Sequence, residues 1–268
     1  MSNSLQQMKS YKSAICIIPP KSQWPNIQLI RQKHDKHYKR WMPHINLIYP
    51  FILPQQHASD NSNSLDTSTV NDAFNINAGS ATVNDALNIS AGSEIIDDNM
   101  IFQILKKTLC PIHPFKLKLQ NLNYFTHGKR SSTVWLHPET FPENALIELE
   151  NRLIGRSNLN DCENNMNRED EEFGFPGFDE LLNIGNEGFR PHLSLGQFRG
   201  EKSSQEAIEK FSSIFSQDPI IEFDVTEICW IVRKGFHDPF EVKARVGLGV
   251  DGEIVDTLSV DMTVYQKD

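Results

Sequence analysis

The sequence predicts an α+β fold whose two halves echo each other. Two observations carry this expectation, and a third explains the chain's length. Strand-patterned and helix-patterned runs follow in the order strand, helix, strand, helix, strands, helix, strand, helix, strands, which is an α+β order. The run "PHINLIYPF" (43–51) in the first half is matched by "PHLSLGQF" (191–198) in the second. Two polar stretches, 55–93 and 157–188, interrupt the pattern and account for much of the 268 residues.

The elements are read in chain order. "SAICII" (13–18) is a short apolar strand stopped by Pro19-Pro20, and Ile27 and Ile30 lie at helical spacing within 25–34. "HINLIYPF" (44–51) is again a strand. Residues 55–93 are rich in Asn, Ser, Asp and Ala and hold an imperfect duplication, "TVNDAFNINAGSA" (69–81) followed by "TVNDALNISAGSE" (82–94). Two copies of a small polar unit do not make a solenoid, so this segment is expected to be a disordered insertion. A helix near 94–109 follows, then the strands "FKLKLQNLNYF" (115–125) and "STVWLHP" (132–138). "PENALIELENRLIG" (142–155) is an amphipathic helix with Pro142 near its start and Gly155 at its end. Residues 157–188 read as an acidic loop insertion in which Phe173, Phe175 and Phe178 could dock locally. The strand 191–198 and a helix over 203–216 lead to "IIEFDVTEICWIVRK" (220–234), "FEVKARVGLGV" (240–250) and "EIVDTLSV" (253–260). Asp251-Gly252 is a two-residue hairpin signal between the last two.

Charge and cysteine content narrow the function classes. The net charge is −9, which argues against a broad nonspecific nucleic-acid binder. Much of it is local: 157–188 holds nine acidic residues against Arg168, leaving the rest close to neutral and able to carry a basic site. Cys16, Cys110, Cys162 and Cys229 are far apart and lack zinc-type spacing. With no signal sequence and no long apolar run, the expectation is a cytoplasmic protein, the nucleus left open, with no membrane contact and a monomeric state.

The paired strands carry the chemistry. Residues i and i+2 of a strand share a face, so His192 emerges beside Ser194, and His44 beside Asn46. One histidine on a strand is usually a satisfied structural residue. Two in the same context, each after proline and each followed by an apolar residue, a small polar residue and leucine, are harder to dismiss. The tripeptide alone means little, since "HAS" (57–59) also fits it inside the polar insertion.

These motifs resemble those of the 2H phosphoesterases, the superfamily of LigT-like 2′-5′ RNA ligases and RNA cyclic phosphodiesterases. Its signature is two His-x-Thr/Ser-apolar motifs on strands of two pseudo-symmetric lobes. "HLSL" matches fully; "HINL" has Asn46 where the family has Thr or Ser. The resemblance spans most of the chain outside the two insertions. It implies one bilobal domain over 1–268, with antiparallel sheets lining a central cleft. It also implies a metal-independent phosphodiesterase without cofactor, acting on an RNA end or small nucleotide with a 2′,3′-cyclic or 2′-5′ phosphodiester.

Opening such an ester needs one proton taken and one given, which two imidazoles near pH 7 can supply. His44 and His192 are therefore the catalytic candidates. Asn46 and Ser194 are candidates for holding the non-bridging oxygens, with Arg190 and Arg199 as further phosphate contacts. Lys129, Arg130, Arg233 and Lys234 are further ones, and solvated surface charge is the plainer reading for each of these cations, Arg190 and Arg199 included, taken alone. Tyr49, Phe51 and Phe198 follow the motifs and are candidates for stacking a base, although core packing is the better reading for at least two of them. His34 and His37 lack a third ligand at metal spacing and read as a solvated helix end. The alternative is a non-catalytic module that binds RNA ends or nucleotides through a degenerate site. A scaffolding role would leave both histidine strands unexplained.

Overall fold

The computed structural model describes residues 9–53, 97–156, 173–179, 188–216 and 220–256. The chain runs through β1 (Lys9–Ser10), β2 (Ser13–Ile17), a 3-10 turn (Lys21–Gln23), α1 (Trp24–His34), β3 (Ile45–Ile48) and β4 (Phe51–Ile52). Next come α2 (Asp98–Leu109), β5 (Phe115–Gly128), β6 (Ser131–Phe141), α3 (Ala145–Leu153) and β7 (Leu193–Phe198). It ends with α4 (Gly200–Phe215), β8 (Ile221–Val225), β9 (Glu227–Val232), β10 (Glu241–Gly247) and β11 (Ile254–Asp256).

The expected α+β class is the one observed, with every strand pair antiparallel. The first lobe is a five-stranded sheet in the order β11-β10-β9-β2-β3, and the second a four-stranded sheet in the order β7-β6-β5-β8. β1 and β4 form a small separate ribbon. Local chemistry explains the elements. Asp97 caps α2 by accepting from the Met100 N–H at 2.8 Å, and Ile101, Leu105 and Leu109 form its buried stripe. β2 is buried along its whole length because it is interior to its sheet and covered on both faces. Ile15 and Ile17 join the main core, while Ala14 and Cys16 join a smaller cluster with Cys229, Ile231 and Phe240. In β5, Leu117 and Leu119 point inward between the outward Lys116 and Lys118.

Four sequence expectations change. The run 220–234 is two strands in different lobes: β8 pairs with β5, and β9 pairs with β2 and β10. The chain crosses between sheets at Thr226, whose carbonyl accepts from the Leu248 N–H at 2.8 Å. The run 44–51 breaks into β3 and β4 at Tyr49-Pro50, where Pro50 has no N–H for a ladder. The last hairpin is wider than a two-residue turn, because Val246 pairs with Ile254 and Gly249 adopts φ +84° inside the loop. The helix expected at 203–216 begins at Gly200. The duplicated segment 55–93 lies outside the described residues. So does most of 157–188, except that Phe175 and Phe178 are buried against Phe51.

β3 and β7 each lie at one edge of their sheet, and each carries a bulge at the same place. Cys16 pairs with Asn46 and Ile15 with Ile48, which skips Leu47. Trp135 pairs with Ser194 and Val134 with Gly196, which skips Leu195. Both skipped residues stand three positions after the motif histidine. A bulge reverses the alternation beyond it, so it decides which later side chains share the histidine's face.

The lobes meet where α1 packs on β7. A Cβ on Gly196 would lie 2.6 Å from the His34 Cβ and 2.8 Å from its backbone carbon and oxygen. Backbone atoms cannot move aside cheaply, so glycine is required there. Gly196→Ala is expected to cost about 1–3 kcal/mol by overpacking, read as a lower midpoint in denaturant unfolding. An unchanged midpoint would mean that the helix yields freely.

Candidate active site

His44 stands one residue before β3, and His192 one residue before β7, so the two edge strands deliver their histidines in matched positions. The anchoring is matched too. The Nδ1–H of His44 donates to the Met42 carbonyl at 2.7 Å, and that of His192 donates to the Arg190 carbonyl at 2.8 Å. In each case the acceptor lies two residues back in the chain. A ring held through Nδ1 leaves Nε2 as the nitrogen available for proton transfer. Aromatic rings fix both orientations. Trp41 stacks on His44 with centroids 4.5 Å apart and planes 16° apart. His192 meets Phe125 edge-to-face at 4.9 Å and Trp135 at 5.9 Å.

Burial dominates the electrostatics. It pushes His44 down to about 4, partly opposed by the Met42 carbonyl, with Arg31 and His192 lowering it further. Burial also lowers His192, partly opposed by the Arg190 carbonyl, and the charges of His127 and Arg190 add to the shift.

The other predicted residues divide. Asn46 shares the cleft face of its sheet with Cys16, and its side-chain oxygen is buried without a donor among the described residues. The NH2 of an amide is its donor end, the one that could serve an anion. Ser194 lies opposite Trp135 and is partly exposed. The Arg190 guanidinium sits 5.2 Å above the Phe125 ring, the ring whose partner is His192. Arg199 is exposed at the N-cap of α4, one residue beyond β7. Tyr49 joins the aromatic group around His44, edge-on to Trp41 at 5.2 Å and to Tyr11 at 5.6 Å.

Phe198 is a correction. The bulge at Leu195 turns it to the helix side, where it stacks on His34 at 5.1 Å and packs beside Phe211. It does not reach the cleft. His34 is thus a packing residue, and the His37 ring is hydrogen-bonded to Arg40. Arg233 is buried against Phe240 and donates to the Tyr11 and Phe236 carbonyls, a structural role. Lys129 and Arg130 form the exposed turn between β5 and β6, and Lys234 is exposed. Among the described residues, no group of three or more His, Cys, Asp or Glu side chains is placed to hold a metal ion.

Several site residues were missed from sequence. The same bulge that removes Phe198 brings Gln197 to the cleft side. Its amide donates to Asp35 Oδ1 at 3.3 Å, and its oxygen accepts from the Lys36 N–H at 3.0 Å. Asp35 in turn pairs with Arg31 at 2.8 Å, both side chains nearly fully buried. Arg31 also donates to the Trp41 carbonyl at 2.9 Å. A buried ion pair therefore links the second lobe's motif strand to the tryptophan that stacks on the first lobe's histidine. Trp41, two residues before "PH", was the available signal; Phe125 and Trp135 needed knowledge of strand pairing.

Two histidines on bulged edge strands of two antiparallel lobes, anchored alike, define a two-histidine cleft protein. The family model of the 2′-5′ RNA ligase superfamily matches residues 19–236, and the chain belongs to that superfamily. Among solved structures, Escherichia coli LigT in apo form is 14% identical, with 89% of this chain and 98% of that chain covered and a TM-score of 0.39. LigT complexed with 3′-AMP is 16% identical at the same coverages, with a TM-score of 0.41. LigT complexed with NADP+ is 15% identical, covering 90% and 99%, with a TM-score of 0.40. No curated protein matches the sequence. Among the described residues, no helix is long and apolar enough to cross a membrane.

Proposed function

We propose that this chain is a metal-independent phosphodiesterase, built as one bilobal domain over 1–268, that acts on RNA ends or small nucleotides. The bond opened is a 2′,3′-cyclic or 2′-5′ phosphodiester. The observation that carries this reading is the matched anchoring of His44 and His192, each held through Nδ1 by the carbonyl two residues back. His44, the ring held down to about 4, is neutral near pH 7 and accepts the proton of the attacking water. Water oxygen bonds to phosphorus as the bond to the leaving ribose oxygen breaks, and His192 supplies that oxygen's proton through Nε2. Asn46 and Ser194 hold the non-bridging oxygens where negative charge grows. Arg190 is the better placed of the two arginines, because it shares Phe125 with His192; Arg199 contacts the substrate farther along. Tyr49 is the stacking candidate that remains.

The test is a substrate panel run with and without EDTA: ADP-ribose 1″,2″-cyclic phosphate, nucleoside 2′,3′-cyclic phosphates and 2′-5′ oligoadenylate. Turnover of at least one, undiminished by the chelator, is expected. Activity abolished by EDTA and restored by a divalent ion would refute the mechanism. Asn46 in place of a hydroxyl favours a second reading, a degenerate site that binds without turnover. Saturable binding of a cyclic-phosphate end with no hydrolysis would select it.

A further inference from the structure

α3 turns Leu146, Leu149 and Leu153 inward, and a carboxylate stands in the middle of that apolar stripe: Glu150, 1% exposed. Neither of its side-chain oxygens has a hydrogen-bond partner among the described residues. A carboxylate buried without a donor is costly enough that the group takes up a proton instead. Its place adds to the cost, because the last turn of a helix carries the negative end of the macrodipole. α3 packs on α2, β3 and β6, whose buried side chains there carry no ionisable group. The charges that act on Glu150 are Arg156, which favours the ionised form, and Asp179, which opposes it. These two are paired with each other at 3.4 Å on the surface. Arg152, on the same turn, is committed to the Thr108 carbonyl at 2.8 Å and to the face of Phe173.

The segment 173–179 closes over this end of α3 as a clasp. The Phe175 N–H donates to the Leu153 carbonyl at 2.7 Å, and the Gly174 N–H donates to Thr108 Oγ1 at 2.8 Å. Gly174 lies at φ +69°, and a Cβ there would meet the Arg152 carbonyl oxygen at 2.4 Å, so the two backbones touch. Past that contact, Phe175 and Phe178 are buried edge-on to Phe51, and Lys9 donates to the Gly177 carbonyl. The clasp therefore seals the first lobe's core from behind β3, away from the cleft.

We propose that Glu150 is a proton-operated latch for this clasp: uncharged, it lets 173–179 close over α3, and on ionising it drives the segment off so that water reaches the carboxylate. The latch does not depend on which reaction the cleft performs. Burial raises the Glu150 carboxyl from the ordinary 4.5 to about 7, with Arg156 pulling it back and Asp179 pushing it further. The closed form holds the proton more tightly than the open one. Closing is thus most favoured below about 4.5, weakens about ten-fold per pH unit up to about 7, and levels off above it.

Hydrogen exchange of the full chain, read by mass spectrometry and corrected for the intrinsic exchange rate, tests this. In peptides covering 173–179, protection should fall about 100-fold between pH 5 and pH 7 and change little from pH 7 to pH 8. Peptides from β5 should keep theirs throughout. Glu150→Gln, which cannot ionise, should give a flat profile over 173–179. Glu150→Met, of similar length and without polar atoms, should also be flat, with more protection than the parent at pH 8. Protection in the parent that does not respond to pH, or variants that keep the parent's response, would overturn the proposal. So would a loss of protection shared by β5, which would mark unfolding of the whole lobe pair instead of a local opening.

Discussion

His192→Ala is expected to lower kcat/KM by about 10²–10⁴, and His44→Ala by a similar factor, the usual contribution of one acid–base group. Neither side chain holds the fold together. Each ring makes one hydrogen bond, to a carbonyl two residues back, and packs on aromatic rings that keep other partners. Unfolding midpoints should therefore change little while turnover collapses. With both rings serving one proton-transfer cycle, as proposed, the double variant should be scarcely worse than the poorer single one. Steady-state rates on the best substrate of the panel check this. A His192→Ala protein that works like the parent would return "PHLSLGQF" to the status of an ordinary edge strand.

Arg31→Met should be the most destabilising single change near the site. Arg31 is 2% exposed and forms an ion pair with an almost equally buried Asp35. Removing the cation leaves the carboxylate buried without its countercharge, at a cost of about 3–5 kcal/mol. For a chain of this size that lowers Tm by roughly 6–20 °C. Arg31→Met/Asp35→Asn should recover much of the loss, because no charge is then left uncompensated while an oxygen still faces the His37 N–H. Loss of the Trp41 anchor should also reduce kcat more than it raises KM. Thermal unfolding of the single and double variants checks the account. A double variant as unstable as Arg31→Met would show that the damage lies in lost packing instead of a stranded charge.

Much of this architecture is legible in the sequence because it follows from periodicity. α2, α3 and α4 bury one stripe each, and β5 alternates cleanly at its start. The histidines are legible because the same Pro-His context occurs twice. What is not legible depends on partners distant in sequence. The bulges at Leu47 and Leu195 exist only in relation to β2 and β6, yet they decide that Gln197 faces the cleft and Phe198 the core. Run 220–234 hides its break at Thr226, although β8 alternates buried and exposed while the middle of β9 is continuously buried, as suits an interior strand. Arg31, in a helix rich in polar residues, looks like a solvated cation until Asp35 and the Trp41 carbonyl close around it.

The most direct test of the paired-histidine claim is the pH dependence of kcat/KM in the parent and in the two single variants. In the proposed mechanism His44 works deprotonated, so the rate should climb as pH rises through its depressed value of about 4. In the same proposed mechanism His192 works protonated, and burial lowers it from the ordinary 6.5, so the rate should fall again before or near pH 6.5. The parent profile is thus expected to be a bell with its optimum on the acidic side of pH 6.5. His44→Ala should lose only the acidic limb and His192→Ala only the alkaline limb. A bell retained with both limbs in both variants would contradict the account.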